Sequence, residues 1–169
     1  MWNSQVIIML LEGIRDTLYM TLASTLFGYI IGLPMGIVLT VTDKDGIRPN
    51  AAVYKVLDVI SNLLRSIPFI ILLIVLIPFT RFVVGRSYGS TATIVPLTIA
   101  AAPYIARMVE SSLKEVDAGV IEAARSMGAS DFQIVTKVML VEARTSLIVG
   151  ATISLGTILG YSAMAGTVG

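Results

Sequence analysis

The 169-residue chain has no cysteine, no histidine and few charges, at 14% of residues. Without cysteine, disulfides and thiol chemistry are excluded. Without histidine, the usual imidazole base, proton relay and zinc ligand are missing, which argues against most hydrolytic membrane enzymes. No Gly-x-x-x-x-Gly-Lys-Ser/Thr loop occurs, so the chain carries no phosphate cradle of that type. No basic tract suggests nucleic acid, and the net charge of +1 points to no particular partner. The first residues, Met1-Trp2-Asn3-Ser4-Gln5, have neither a basic n-region nor a cleavage site, so no removable signal peptide is expected.

What the chain does have is apolar length. It is 56% hydrophobic with a mean hydropathy of +0.88, above the roughly 45–50% apolar content of soluble domains. The expected class is all-α, a polytopic helical membrane protein forming one domain over 1–169. Four stretches, at 18–41, 56–79, 91–109 and 147–165, approach the ~20 residues a spanning helix needs. Ahead of the first lies an amphipathic segment, Val6 to Asp16, too short to cross; with Trp2, Glu12, Arg15 and Asp16 it suits an interfacial helix.

Lys44, Arg48, Lys55 and Arg65 lie after or at the start of spans on one side, as do Arg107, Lys114, Arg125, Lys137 and Arg144. The other side has only Arg15, Arg81 and Arg86. Basic residues near spans favour the cytoplasm, so the N-terminus is expected outside and segment 110–146 inside. Ser24, Gly28, Gly32 and Gly36 put a small residue at every fourth position of span 1, a seam for close helix contact. Packing within the chain is the favoured use of this seam over contact between subunits. Pro34 should kink that helix. In span 2, Asp58, Asn62 and Arg65 share roughly one face, and Pro68 follows in Arg65-Ser66-Ile67-Pro68-Phe69. These polar groups either face protein or water, or Arg65 snorkels to the headgroups. Pro96 and Pro103 interrupt span 3.

Span 3 is expected to continue past the membrane through Arg107, Glu110 and Lys114, paired along a wet face. Asp117 can cap a short helix that stops at Gly128, and Ser130-Asp-Phe-Gln133 reads as a capping box. The helix it opens has an apolar face of Phe132, Val135, Val138 and Met139. The short helix is a knob whose Ala123 and Ala124 would fill a groove on a partner, with Glu122 and Arg125 at its rim.

Glu122-Ala123-Ala124, three residues, Gly128, nine residues, then Val138-Met139-Leu140 resembles the EAA loop of ABC importer permeases. Two positions depart from that pattern: Val138 stands for Ile, and Val141 for Pro. The missing Pro suggests a helix running on smoothly toward span 4. Over nearly the whole chain, Arg65-Ser-Ile-Pro-Phe, Ile77-Pro-Phe-Thr-Arg81, Ala101-Ala-Pro-Tyr-Ile-Ala-Arg-Met-Val-Glu110 and Gly160-Tyr-Ser-Ala-Met-Ala-Gly166 are similar to methionine importer permeases. The resemblance implies a second copy of the permease and two ABC ATPase subunits carrying the ATP and Mg. It also implies an extracytoplasmic substrate-binding lipoprotein and a place in the bacterial cytoplasmic membrane. Ile121, Glu122, Ala123, Ala124, Arg125, Met127 and Gly128 would then couple to the ATPase, and Tyr161, Ser162 and Met164 would line or gate the pathway. Such permeases have a fifth span after the glycine-rich segment. Ending at Gly169, the chain is expected to be truncated, with its C-terminus outside.

Two other functions use parts of the same pattern. A membrane enzyme using Asp16, Asp58 and Arg65 is disfavoured, because the expected topology separates Asp16 from Asp58. A passive channel or assembly scaffold, with the glycine seam as its oligomer contact, remains the alternative.

Overall fold

The computed structural model describes residues 4–166. Trp2, expected at the interface, and the terminal Gly169 lie outside them. Helices α1 (Ser4–Thr42), α2 (Ala51–Ser66), α3 (Phe69–Val75), α4 (Ile77–Val84), α5 (Ser90–Lys114) and α6 (Ala118–Ser126) come first. A short α7 (Asp131–Gln133), a π-helical stretch (Ile134–Met139), α8 (Leu140–Glu142) and α9 (Arg144–Ala165) follow. Among the described residues there is no strand. Three helices, α1, α5 and α9, are long and apolar enough to cross a bilayer, and four crossings result if α2 and α3 are one broken span.

Helix α5 is the axis of the bundle. In its most apolar window 56% of residues are buried, against 28% for α1 and 22% for α9, so the outer helices present most of their surface to lipid or to further protein. The small residues of α1 explain its approach to α5. A Cβ on Gly32 would lie 2.6 Å from the Ala102 carbonyl oxygen, and one on Gly36 would lie 2.5 Å from that of Ala106. A Cβ on Gly28 would meet the Ile105 Cδ1 at 2.9 Å. The seam therefore serves packing within the chain, as favoured from the sequence. Pro34 sits on the far, exposed side of α1, and the helix continues through it.

Two elements differ from the sequence expectation. The segment Val6–Asp16 is not a separate interfacial helix but the opening turns of α1, whose 39 residues make a rod of about 58 Å at 1.5 Å per residue. No breaker separates it from the span, and Thr17 donates to the Gly13 carbonyl at 2.8 Å within the same helical ladder. Stretch 56–79, in turn, is not one continuous span. α2 ends at Ser66, Ile67 is extended at φ −81°, ψ 123°, and α3 leaves at 102° to α2. Pro68 disfavours the helical conformation for the residue before it and offers no N–H to the Leu64 carbonyl. Burial fixes the new direction: Phe69, Leu72 and Leu73 of α3 pack with Leu97 and Ala100 of α5 and Ala165 of α9.

Candidate functional site

One end of the bundle carries a short helix mounted crosswise in the connection between α5 and α9. Its borders are local chemistry. The Asp117 carboxylate accepts from the Gly119 N–H at 2.7 Å and opens α6. At the other end Gly128 takes φ +83°, its N–H donates to the Arg125 carbonyl at 3.0 Å, and Ala129 N–H reaches the Ala124 carbonyl at 3.1 Å. This is a Schellman stop, in which a left-handed residue without Cβ satisfies the last carbonyls. Ser130 and Gln133 then exchange side-chain-to-backbone bonds as a full capping box. Both borders agree with the sequence reading.

The faces of α6 divide clearly. Ala124 is 5% exposed and joins a core of Ile105, Val109 and Leu113 from α5 with Ile134, Val135 and Met139. Ile121 packs against the edge of that core. Glu122, Ala123, Ser126 and Met127 face outward, Met127 at 82% exposure. The expected two-alanine patch is thus corrected: Ala123 is available to a partner and Ala124 anchors the helix. Arg125 is also tied down, donating from Nη2 to the Ile47 carbonyl at 3.0 Å. That bond joins α6 to the turn between α1 and α2, which is closed by Arg48 N–H to the Val41 carbonyl (3.0 Å) and Asn50 N–H to Thr42 (2.9 Å). A cavity of about 450 Å³ lies under this junction, lined by Asp43, Ile47, Lys114, Ile121, Glu122 and Arg125.

After α6 the helix does not run on smoothly. Residues 134–139 form a π-helix, and Leu140 N–H donates to the Val135 carbonyl five residues back. The wider turn re-aims the side chains: Ile134 and Met139, five apart, are both buried, whereas Phe132 is 76% exposed. The expected face of Phe132, Val135, Val138 and Met139 assumed α-helical spacing throughout. Ala143, at ψ 0°, marks a further irregularity before α9.

Beside the knob lies an ion network whose extent the sequence did not announce. Arg107 Nη1 donates to Glu110 at 2.7 Å, and Lys114 Nζ donates to the other Glu110 oxygen at 2.7 Å. These two pairs were expected, but on a wet face. Instead the Glu110 side chain is only 6% exposed, because α2 and the α1–α2 turn cover it. Arg107 Nη2 also pairs with the Asp58 carboxylate and donates to Asn62 Oδ1 at 3.2 Å. Tyr54 Oη donates to Glu110 at 3.2 Å, and Lys114 reaches Asp43 at 2.7 Å. The missed members, Asp43 and Tyr54, are far from α5 in sequence; the usable signal was Asp58 and Asn62 one turn apart, facing a basic residue on another helix. Arg65, expected beside them, does not join. The Lys114 ammonium holds the Asp43 carboxyl below its usual range, against some desolvation. The carboxylates of Asp43 and Glu110 raise Lys114 despite its own burial.

The three residues expected in a pathway sit on α9 but do not share one face. Tyr161 is half-buried and stacks on Phe69 of α3 with ring centroids 4.9 Å apart and planes 5° from parallel. Ser162 is 2% exposed and donates to the Leu159 carbonyl at 2.7 Å. Met164 is 45% exposed.

The comparisons agree with this architecture. Residues 8–169 match the family model described as binding-protein-dependent transport system inner membrane component. The chain is 55% identical over 158 residues to the D-methionine transport system permease protein MetI of Salmonella typhimurium, covering 94% of this chain and 73% of that one. It is 55% identical over the same length to the protein of that name from Escherichia coli K12. A probable D-methionine transport system permease protein MetI of Vibrio cholerae is 45% identical over 161 residues, covering 72% of its length. Among solved structures, a chain of the inward-facing MetNI methionine ABC transporter superposes with a TM-score of 0.97 at 52% identity, covering 99% of this chain and 78% of that one. A chain of an amino acid ABC transporter with histidines shares the fold alone, at a TM-score of 0.74 and 20% identity. With nearly the whole length matched by the family model, the chain belongs to the inner membrane components of binding-protein-dependent transport systems.

Proposed function

We propose that the chain is the membrane-spanning permease of an ATP-driven ABC importer for methionine in a bacterial cytoplasmic membrane, its N-terminus outside and α6 in the cytoplasm. The observation that carries the reading is α6 itself: a capped helix at the end of the bundle, anchored through Ala124 and offering Glu122, Ala123 and Met127 outward. Its relatives supply the substrate class through their printed names. In this reading 1–169 act as one permease domain, paired with a second copy and fed by an extracytoplasmic binding lipoprotein. Two separate ATPase subunits hydrolyse ATP with Mg, and the chain itself is not an enzyme.

Ile121, Glu122, Ala123, Ala124, Arg125, Met127 and Gly128 form the coupling element, in two roles. Glu122, Ala123 and Met127 touch the ATPase, while Ile121, Ala124 and Arg125 pass its displacement to the core and to the α1–α2 turn. Gly128 holds the stop that sets the angle of the helix. Nucleotide shifts the balance of inward- and outward-open states only because the ATPase dimer grips the two arrangements of α6 with different affinity. Tyr161, Ser162 and Met164 belong to the segment that lines or gates the pathway, where a flexible thioether such as Met164 can fill a constriction.

The test replaces Glu122 by Lys and Gly128 by Asp in the full transporter. Both variants are expected to insert in the membrane and to lose binding-protein-stimulated ATP turnover and methionine uptake by at least tenfold. Retention of ATPase co-purification and of stimulated turnover in both removes the coupling assignment. The scaffold alternative loses its main support, since the glycine seam it needs is occupied by α5 of the same chain.

A further inference from the structure

The corner between α2 and α3 opens onto another cavity, of about 200 Å³. It is lined by Arg65, Phe69, Leu72, Ala100, Tyr104 and Tyr161, with Leu64 and Ile67 at the corner. Four helices, α2, α3, α5 and α9, meet there, and the cavity mixes polar and apolar groups. Arg65 is exposed at the cavity's edge and has no hydrogen-bond or ion-pair partner among the described residues, while Asp58 and Asn62, earlier on the same helix, are both committed to Arg107. Pro68 leaves the Leu64 carbonyl without its helical donor. Tyr104 Oη accepts weakly from Thr157 at 3.5 Å, a bond long enough to be exchanged. The stacked Phe69–Tyr161 pair supplies an apolar wall.

We infer that this cavity is a transient station for the transported solute, a zwitterionic amino acid with an unbranched apolar side chain. The guanidinium of Arg65 receives the carboxylate. The freed Leu64 carbonyl and the Tyr104 hydroxyl are the acceptors for the ammonium group. The side chain lies along the Phe69–Tyr161 stack and Leu72, where a thioether gains from contact with aromatic edges. Size supports the assignment, because about 200 Å³ is below the ~300–1,000 Å³ of sites for drug-sized molecules. Irregular backbone at membrane depth is tolerated where it borders such a cavity. Burial of the stack ties the station to motion: α3 and α9 both contribute to it, so any sliding of one against the other opens or closes the wall.

The inference rests on the transport reading, and the experiment separates the two. The permease–ATPase complex, without binding protein, is photolabelled with a diazirine analogue of methionine and the labelled peptides are mapped. Label is expected in segments 64–72 and 157–161, competed away by unlabelled methionine. Arg65→Ala is expected to reduce it at least tenfold, and Arg65→Lys by less, with ATPase co-purification retained. Label absent from both segments in the wild-type complex, or unchanged by Arg65→Ala, overturns the station. If Arg65→Ala does not assemble, the wild-type map and Arg65→Lys decide. A wild-type complex that imports methionine with no label here sinks the inference alone. Failure to import methionine sinks the transport reading as well.

Discussion

Two of the neighbours of helix α5, α1 and α2, hold it by different means. Toward α1 it meets a dry seam in which three glycines let backbone approach backbone, with hypothetical Cβ atoms falling 2.5–2.9 Å from α5 atoms. Toward α2 it is joined by side chains: Arg107 to Asp58 and Asn62, and Glu110 to Tyr54. The first contact has no slack, because its distance is set by atoms that cannot rotate away. The second is made of long side chains that keep their pairing over some displacement. A helix bundle that must rock needs one rigid pair and one adjustable joint, and the division between α1 and α2 provides both. The 102° corner at Pro68 divides the two kinds of contact along one stretch of chain: α3 packs on α5 and α9 through apolar side chains, while α2 meets α5 through the ion network.

The largest effect should come from breaking the rigid side. Gly36→Leu puts a branched side chain where even a Cβ would sit 2.5 Å from the Ala106 carbonyl oxygen and 2.7 Å from Val109 Cβ. Neither neighbour is a flexible tip, so α1 and α5 must separate along the seam. The expected cost exceeds about 4 kcal/mol, in the exceptional range for a single change. It should appear as loss of monodisperse protein in detergent. A variant that purifies normally with an unaltered melting temperature would show that the seam is looser than its geometry.

The adjustable side should break by a different rule. Arg107→Met leaves the 6%-exposed Glu110 with Lys114 and Tyr54 only, and leaves Asp58 without its cation. Removing one partner of a buried pair costs about 3–5 kcal/mol, chiefly through the charge left behind. Adding Glu110→Gln to Arg107→Met should therefore recover part of the loss, which no seam variant would show. The exposed Lys55, on the same α2, is the control: Lys55→Met should stay within about 0.5 kcal/mol. Denaturant unfolding of the wild type, Arg107→Met, Glu110→Gln and the double variant gives the coupling energy directly. Additive losses would mean that the network does not act as one unit.

How much of this was legible follows from the range of each interaction. The borders of α6 were readable because Asp117, Gly128 and the Ser130–Gln133 box act within a few residues of themselves. The glycine seam was readable because four-residue spacing puts small residues on one helix face; that α5 of the same chain fills it is a tertiary fact. The corner at Pro68 was visible as a disruption, but its angle depends on where Phe69, Leu72 and Leu73 find cover, which is a tertiary matter. The π-helical stretch was hidden because residues 134–139 carry nothing that marks a wider turn locally; the burial of Ile134 and Met139 selects it. Asp58 and Arg107 stand 49 residues apart, so local spacing grouped Asp58 with Arg65 on one helix face and Arg107 with Glu110, and nothing in it joined the two groups. At the candidate site the sequence located the helix but not its faces. Ala123 and Ala124 look alike in a motif and have opposite roles in the fold.

The smallest effect, and the finest test of the adjustable joint, is its pH dependence. The Asp43 carboxyl is held below its usual value of about 3.9 by Lys114. A depressed folded-state value means that the stabilisation is present above the unfolded pKa and lost as pH falls through the folded one. Lys114 is raised by Asp43 and Glu110, so its contribution is complete below about 10.4 and fades only as pH rises through the higher folded value. Between about pH 5 and pH 9 the link from the α1–α2 turn to α5 should therefore be flat, with a decline confined to the acid side of pH 4 and to strong alkali. Asp43→Asn should abolish its share of the acid decline and leave the alkaline limb, where Glu110 still holds Lys114. Melting temperature against pH for the two proteins reads this out. A slope near neutrality in the wild type, removed by Asp43→Asn, would mean that Asp43 is not held by Lys114, and that α6 leans on a freer turn than the bond from Arg125 to Ile47 implies.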